Sequence, residues 1–440
     1  MRQGQNWTFA LASGLLVSLV EPVLAQHDPE AAHSNSVVGS EDEVSADYAA
    51  PHQFGGPSSV AGQLKSDHSA QVTPYWFGGL TAKAQPYYGF KKGVADRHAF
   101  AFGADYNAQV QGANESLGED DAAGGIIRVY GTWTPLGRGT LNTGSVTFKV
   151  ENRHRLGTDI APQQLGGEIG YIGLTAVPFS DAGTIVTNLY WQQSFRNNRL
   201  AVIAGIVDVT DYVSVYGLVN PWTDFANLVF STDPTIPAPN QGLGAAVRGT
   251  IGENFYLLAG LSDANGDPSD PLDSFDSFFT TNETFKHVEF GWFSSYENRF
   301  SDNVHLTLWQ VDERAAAGVP DGWGTALSFS RKINDRWLPF VRAGYAEDGG
   351  ALLERSLSAG VGYFPKGHSD VLGVGMNWGR PPSEPDGPRL NDQYTAEVFY
   401  NMQLFQHTNI TANIEWISDP ALNPEEDSLW VFGLRARVSF

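Results

Sequence analysis

The sequence predicts an all-β protein, a transmembrane antiparallel up-and-down β-barrel, and three observations lead to that prediction. Apolar and polar residues alternate over many segments of about nine to eleven residues, the length that a tilted strand needs to cross a bilayer. Short and long polar connections separate these segments, as in outer-membrane barrels. The last alternating segment runs to the end of the chain, at Phe440. On this pattern we expect roughly fourteen to eighteen strands.

The composition narrows the class of protein further. Of the 440 residues, 48 are glycine and 12% are aromatic, which suits turns and pleated β surfaces. The chain has 27 basic and 49 acidic side chains and a formal net charge of −22, so no nucleic-acid partner is expected. The absence of cysteine excludes disulfides, cysteine-based metal sites and a cysteine nucleophile.

The first 25 residues have the three parts of a secretory signal peptide. Arg2 precedes a mostly apolar run at Phe9–Val20, and Val23–Ala25 supplies short side chains before a cleavage site at Gln26. The apolar run is shorter than the about twenty residues that a bilayer-spanning helix needs. We therefore predict export, with cleavage after residue 25.

Two further regions follow the signal peptide. Residues 26–75 are rich in Ser, His, Asp, Glu, Gly and Pro, which predicts a flexible acidic leader. Residues 76–440 are assigned to the barrel. Its first part, residues 76–95, is aromatic and interrupted by Pro and Gly, so we expect a short helix or a plug there.

The alternation also assigns each side chain to a side of the barrel. Val288 and Phe290, for example, alternate with His287 and Glu289. A charged side chain on the lipid side would cost about 2–4 kcal/mol near the bilayer midplane, so the charged side must face the lumen. The predicted pore-lining residues are Arg128, Tyr130, Lys149, Glu151, Arg153, Arg248, His287, Glu289, His305, Trp309, Arg342, Glu354, Glu397, Glu415, Arg435 and Arg437.

The last strand carries a second signal. One side of it is apolar up to the terminal residue, and a final strand ending on Phe resembles the signal that barrel-assembly machinery recognises. A soluble sandwich, propeller or lectin would show the same alternation but has no need of an exposed terminal aromatic residue. Barrel-assembly machinery and outer-membrane lipid are therefore expected partners. The predicted assembly signal consists of Trp430, Phe432, Leu434, Val438 and Phe440.

The sequence contains no recognisable catalytic constellation. There is no G-x-S-x-G elbow and no phosphate-binding glycine loop, and the ten histidines are scattered. We therefore predict no enzyme activity, no cofactor and no metal site. Asp263, Asn265 and Asp267 alternate as in a calcium loop, but the twelfth position is Ser274 rather than Glu, so only weak calcium binding stays open.

The charges of the predicted lumen are nearly balanced. Seven of the pore-lining side chains in the strands are basic and five are acidic, so the excess acid is expected in the leader, turns and loops. Donors, acceptors and aromatic side chains together suit neutral polyols, whereas an ion-selective pore uses a ring of one charge sign.

From about Gly124 to Phe440 the chain resembles the carbohydrate-selective porins of the OprB type. The most specific stretches are LGVGMNWGRP at Leu372–Pro381, NDQYTAEVFY at Asn391–Tyr400 and DPALNPEEDSLWVFGLRARVSF at Asp419–Phe440. The resemblance implies a 16-stranded outer-membrane barrel with a water-filled pore for glucose and related sugars. It also implies charged eyelet residues, arginines among them, although no residue of this chain is aligned with that eyelet.

The expected function is passive, moderately selective diffusion of carbohydrates such as glucose across the outer membrane. A general, non-specific porin is the main alternative on the same fold. An outer-membrane barrel enzyme and a structural or adhesive barrel are remote alternatives. The transported solutes would be sugars, and the pattern leaves both a homotrimer and a monomer open.

Overall fold

The computed structural model describes residues 52–69, 76–77, 81–365, 369–383 and 390–440. The predicted signal peptide lies outside the described residues. So do residues 26–51 and 70–75 of the predicted leader.

Within the described ranges, sixteen strands pair antiparallel in chain order, and the first pairs with the last to close the sheet. The predicted up-and-down barrel is confirmed, with the strand number that the family resemblance implies. Strand lengths run from 8 to 16 residues, a wider range than expected. The strands are β1 (Phe100–Ala113), β2 (Asp121–Leu136), β3 (Thr143–Arg155), β4 (Gly183–Phe195), β5 (Leu200–Val207), β6 (Gly242–Ile251), β7 (Phe255–Asp263), β8 (Thr284–Phe293), β9 (Asn303–Val311), β10 (Gly322–Ser330), β11 (Trp337–Asp348), β12 (Arg355–Tyr363), β13 (Val371–Arg380), β14 (Gln393–Phe405), β15 (Thr408–Ser418) and β16 (Ser428–Ser439).

Strand β8 shows how the side chains divide between the two surfaces of the sheet. Val288 and Phe290 are 45% and 51% exposed on the outside, whereas His287 and Glu289 are buried inside. Apolar side chains therefore cover the outer surface and polar side chains the inner one. Such an arrangement suits a barrel that contacts lipid on its outside.

The connections differ in length at the two ends of the barrel. At one end, here the turn end, they are as short as residues 196–199, 252–254 and 406–407. Asn197 and Asn198 have positive φ angles of 56° and 61°, a conformation that Asn adopts more readily than most residues. At the other end, here the loop end, the connections include residues 156–182, 208–241 and 264–283.

Two helices precede the barrel within the described residues. The second of them, α2 (Thr81–His98), overlaps the region 76–95 in which a short helix or a plug is expected, and it packs at the turn end, where Lys91 Nζ donates a hydrogen bond to the Phe440 carbonyl at 2.8 Å. Helix α1 lies within the predicted flexible leader, so that part of the leader is packed. Its Val60 and Leu64 are buried against Tyr130, a contact that the average composition of the segment conceals. The helices are α1 (Val60–Ser69), α2 (Thr81–His98), α3 (Leu165–Glu168), α4 (Leu228–Ser231) and α5 (Asp273–Thr280).

None of the helices in the described part of the chain is long and apolar enough to span a bilayer.

Candidate functional site: the lumen and its constriction

The inner side of the strands carries nearly all the residues that the alternation assigns to the lumen. Arg128, Arg248 and Arg435 are among the largest fully buried side chains of the protein. Glu354 lies one residue before β12 and is half-buried. Its Oε1 lies 3.1 Å from Nε of Arg355 at the loop end, and its assignment to the pore wall stays a prediction.

Residues 208–241, which connect β5 to β6 and are here called the inner loop, cross the lumen instead of extending from the loop end. Glu397 on β14 accepts hydrogen bonds from the backbone N–H groups of Ala226, at 2.8 Å, and Asn227, at 3.0 Å. Asn227 Nδ2 donates to Glu415 at 2.7 Å. The Arg435 guanidinium donates to backbone carbonyls of the same stretch of the loop. The inner loop is thus fastened to the wall formed by β14, β15 and β16.

A second set of bonds fastens the inner loop to the wall formed by β8 and β11. Arg342 donates to the carbonyl oxygen of Ser214 at 3.1 Å and to that of Phe230 at 3.3 Å. The backbone N–H of Ser214 donates to Glu289 at 2.8 Å. Buried charges that take several backbone partners hold a loop in one position, since each lost partner would leave a charge unpaired in the interior.

An aromatic cluster seats the same loop inside an otherwise polar lumen. The ring of Phe225 lies 4.8 Å from Phe230, 4.8 Å from Phe399 and 5.8 Å from Phe340, measured between centroids. Gly375 makes the approach possible, because a Cβ at that position would lie 2.8 Å from the Phe230 ring. Burial of these rings gives the inner loop a hydrophobic anchor in addition to its polar ones.

The space that remains beside the inner loop is a cavity of about 690 Å³, here called the central cavity. This volume falls within the roughly 300–1,000 Å³ of sites that bind small molecules. Strand β3 supplies one wall and the inner loop supplies most of the other. Of the predicted pore-lining residues, only Lys149, Glu151 and Arg153 reach it. The other members of that set mainly hold the inner loop or residues 52–69 in place.

The central cavity is more acidic than the predicted lumen. Among the described residues that line it, five side chains are acidic and two are basic. Lys149 Nζ lies 3.4 Å from Asp211 Oδ2, and Arg153 pairs with Glu151 at 2.6 Å. The inner loop thus adds acidic side chains to this part of the lumen, beside the strand residues for which a near balance of charge is predicted. The acidic residues are Glu151, Asp208, Asp211, Asp233 and Asp267.

Two carboxylates of the cavity lining lie outside the strands and have shifted pKa values. Burial raises the pKa of Asp211 above its usual range, and the positive charge of Lys149 opposes that shift. Hydrogen bonds from Ser269 lower the pKa of the exposed Asp267. Asp267 therefore stays ionised under conditions in which Asp211 takes up a proton.

The raised pKa of Asp211 predicts pH-dependent ion selectivity. As the pH falls from 8 to 5, Asp211 becomes neutral, so the cavity loses negative charge. We expect the cation-to-anion permeability ratio, measured from reversal potentials in a KCl gradient, to fall by roughly a factor of two.

The variant Asp211→Asn should flatten this pH dependence. Asp224→Asn is the matched control, because burial raises the pKa of Asp224 to about 7 although this residue lies outside the cavity lining. The assignment of the pH dependence to Asp211 would be contradicted if Asp224→Asn abolished the pH dependence of the permeability ratio and Asp211→Asn kept that of the wild type.

Several residues of the site were not found by sequence reasoning. Asp208, Asp211 and Asp233 lie on a long connection, whose length marks it as unusual but does not indicate that it enters the lumen. Asp105 is different, because it lies in β1 at a position whose side chain points inward by strand parity. The sequence alone could have assigned it to the lumen. Its carboxylate accepts a hydrogen bond from Arg128 Nε at 2.7 Å.

The first carboxylate of the calcium-like stretch forms hydrogen bonds within its own loop. Asp263 accepts hydrogen bonds from Ser274 Oγ at 2.9 Å, from Ser277 Oγ at 3.2 Å and from the backbone N–H of Asn265 at 3.0 Å. Across the residues that the structure describes, no group of three or more His, Cys, Asp or Glu side chains is arranged to hold a metal ion.

A family model and a solved structure with a TM-score above 0.5 agree with this architecture. The model of the OprB family, described as carbohydrate-selective porins, matches residues 137–440. The high-pH structure of Pseudomonas putida OprB has a TM-score of 0.62 at 14% identity and covers 80% of this chain and 97% of that one. Its low-pH structure has a TM-score of 0.48 at 12% identity and covers 84% and 100%. A triple mutant of the Rh. blastica porin has a TM-score of 0.44 at 14% identity and covers 78% and 100%. No curated protein matches the chain.

Proposed function

Because the chain belongs to the OprB family of carbohydrate-selective porins, we propose that its barrel lets glucose-like sugars diffuse passively and with moderate selectivity. Family membership places the protein in the bacterial outer membrane and makes it a channel. The preference for glucose-like sugars is the finer part of the proposal, and the central cavity is the site to which we assign it.

The lining of the central cavity supports this preference. Thr232, Asn240 and Gln241 offer hydrogen-bonding groups to sugar hydroxyls. Trp222 and Pro237 add apolar surface that suits the C–H side of a sugar ring. Bonds to hydroxyls and apolar contacts together are what a small polyol requires, and neither depends on a net charge of the solute.

Liposome swelling tests the proposal. Purified protein is reconstituted, and swelling is compared for glucose, larger oligosaccharides and amino acids of similar mass. Faster entry of glucose than of the amino acids is expected. Equal entry of all small solutes would favour a general porin instead, and no entry of any solute would exclude the channel.

A pair of variants locates the selectivity. Glu151→Gln changes a residue that lines the central cavity and should alter the block of ion current by glucose. Glu347→Gln removes the same charge at an exposed position and should leave that block unchanged. If neither variant changed the block of ion current by glucose, Glu151 would not lie on the path that the sugar takes.

The last strand supports a further proposal, that the barrel-assembly machinery recognises it. Phe440 is 52% exposed at the turn end, and Phe432 and Leu434 of the same strand are 52% and 49% exposed on the outer surface. We expect Phe440→Ala to lower the yield of folded barrel in the outer membrane by about half or more. The folded fraction is measured from its altered migration on unheated gels, and an unchanged yield would contradict the proposal.

Residues 1–25 are proposed to be removed during export. The mass of the mature protein, isolated from the outer membrane, should correspond to a chain that starts at Gln26. Light scattering of the same sample distinguishes the homotrimer from the monomer. An enzymatic or adhesive role stays a remote alternative, since family and fold are those of channels.

A further inference from the structure

Residues 52–69, here called the N-terminal segment, lie inside the barrel at its turn end. Gln53 Nε2 donates to the carbonyl of Asn198 at 2.7 Å and to Thr250 Oγ1 at 2.9 Å. Arg299, in the connection between β8 and β9, donates to the carbonyl of His52. These contacts attach the start of the segment to one side of the barrel.

The end of the segment is attached to the opposite side. Asp67 accepts hydrogen bonds from Tyr130 Oη at 2.6 Å and from Arg437 at 2.9 Å. Gln63 Oε1 accepts one from Arg128 at 3.2 Å. These three partners lie on β2 and β16, whereas the connection between β8 and β9 lies half-way round the barrel. The N-terminal segment therefore crosses the whole mouth.

The middle of the segment packs against the underside of the inner loop. The rings of Phe54 and Tyr212 meet edge to face, with centroids 5.4 Å apart. A Cβ at Gly56 would lie 2.6 Å from the carbonyl oxygen of Asp211, so only glycine permits this approach. Ser58 lines the central cavity. Ser58 is thus the point at which the segment borders the cavity.

A smaller cavity of about 180 Å³ lies on the other side of α1. Asp67 of α1 and Thr223 of the inner loop line it, together with Asn401 and Arg437 of the barrel wall. This cavity is the space that remains between the N-terminal segment, the inner loop and the barrel wall. The side chains of Asp67 and Arg437 are only 7% and 5% exposed. Moving α1 aside would break this buried ion pair, which is costly.

We infer that the N-terminal segment is part of the permeation path and sets the upper size limit of the solutes that pass. This inference deepens the proposed channel function and rests on it. A solute leaving the central cavity meets Ser58 and must pass the fixed segment, so the segment narrows the exit for oligosaccharides more than for monosaccharides.

The absence of native cysteine allows a direct test. Ser58→Cys is reconstituted, its single-channel conductance is recorded, and a bulky thiol reagent is added. Conductance should fall by about half, because the reagent occupies the remaining path. Ser383→Cys, at an exposed position in the connection after β13, is the matched control and should show no change.

A deletion of residues 52–69 from the full chain is the second arm. Its conductance should rise, and uptake of a trisaccharide relative to glucose should rise severalfold. The deletion could fail to assemble, since it leaves Arg437 without Asp67, but the labelled Ser58→Cys channel gives an answer on its own. Unchanged conductance after complete labelling would overturn the inference.

The two arms keep this inference separate from the function proposed above. If the wild-type channel conducts ions but takes up sugars no faster than amino acids, the proposal of sugar selectivity is rejected. The labelling experiment still shows whether Ser58 lies on the permeation path. Normal sugar selectivity together with an inert label would overturn the size-limiting segment alone.

Discussion

Replacing Asp105 by alanine is expected to lower the free energy of unfolding by about 3–5 kcal/mol, the usual cost of removing one partner from a buried ion pair. Asp105 accepts hydrogen bonds from Arg128 Nε at 2.7 Å and from Arg437 Nε at 2.9 Å. Both guanidinium groups are buried, with Arg128 fully enclosed. Without the carboxylate, two cations inside the barrel lose a common partner.

Denaturant titration of the folded barrel in lipid vesicles, followed by tryptophan fluorescence, measures this loss. Asp181→Ala is the matched control, because the Arg155–Asp181 pair is 45% and 41% exposed and such pairs contribute only about 0–1 kcal/mol. The double variant Asp105→Ala with Arg128→Met should recover part of the loss, since it removes a cation as well. Equal losses for Asp105→Ala and the control would contradict the interpretation.

The second large effect is expected at the inner loop. Glu397→Ala removes the acceptor of the Ala226 and Asn227 backbone N–H groups. The loop should then leave its position for part of the time and widen the lumen. We expect single-channel conductance to rise by about two- to fivefold and the preference for glucose over other small solutes to fall.

Planar-bilayer recordings and liposome swelling measure the two effects of this variant. Glu425→Ala, at an exposed position of the loop end, is the control and should behave as the wild type. The migration of the folded barrel on unheated gels shows whether Glu397→Ala assembles. Wild-type conductance in an assembled Glu397→Ala channel would mean that the polar anchors are dispensable and that the aromatic cluster around Phe225 suffices.

The barrel itself could be predicted from the sequence because it depends on local properties. Alternation between Val288 and Glu289 assigns one to lipid and the other to the lumen, and their exposures of 45% and 1% agree with that assignment. Positive φ angles at Asn197 and Asn198 likewise belong to a short turn that the sequence indicates. Each of these features requires only neighbours within a few residues.

The candidate site could be predicted only in part. Lys149, Glu151 and Arg153 were assigned inward by parity and do line the central cavity. Arg342 and Arg435 were assigned inward by the same rule, but the groups they bond are backbone carbonyls of the inner loop. Strand parity therefore predicts on which side of the sheet a side chain lies, but it does not predict which group that side chain contacts.

Composition, alternation and the final strand were sufficient to predict the barrel and its strand directions, and the stretches Leu372–Pro381, Asn391–Tyr400 and Asp419–Phe440 carry the family resemblance. The course of residues 208–241 through the lumen, and that of residues 52–69 across its mouth, depends on the three-dimensional structure. Contacts such as Asp67 with Arg437, or Ala226 with Glu397, join residues far apart in the chain. Whether such a carboxylate meets water, a guanidinium or a backbone N–H depends on which distant segment enters the lumen, and no local pattern encodes that choice.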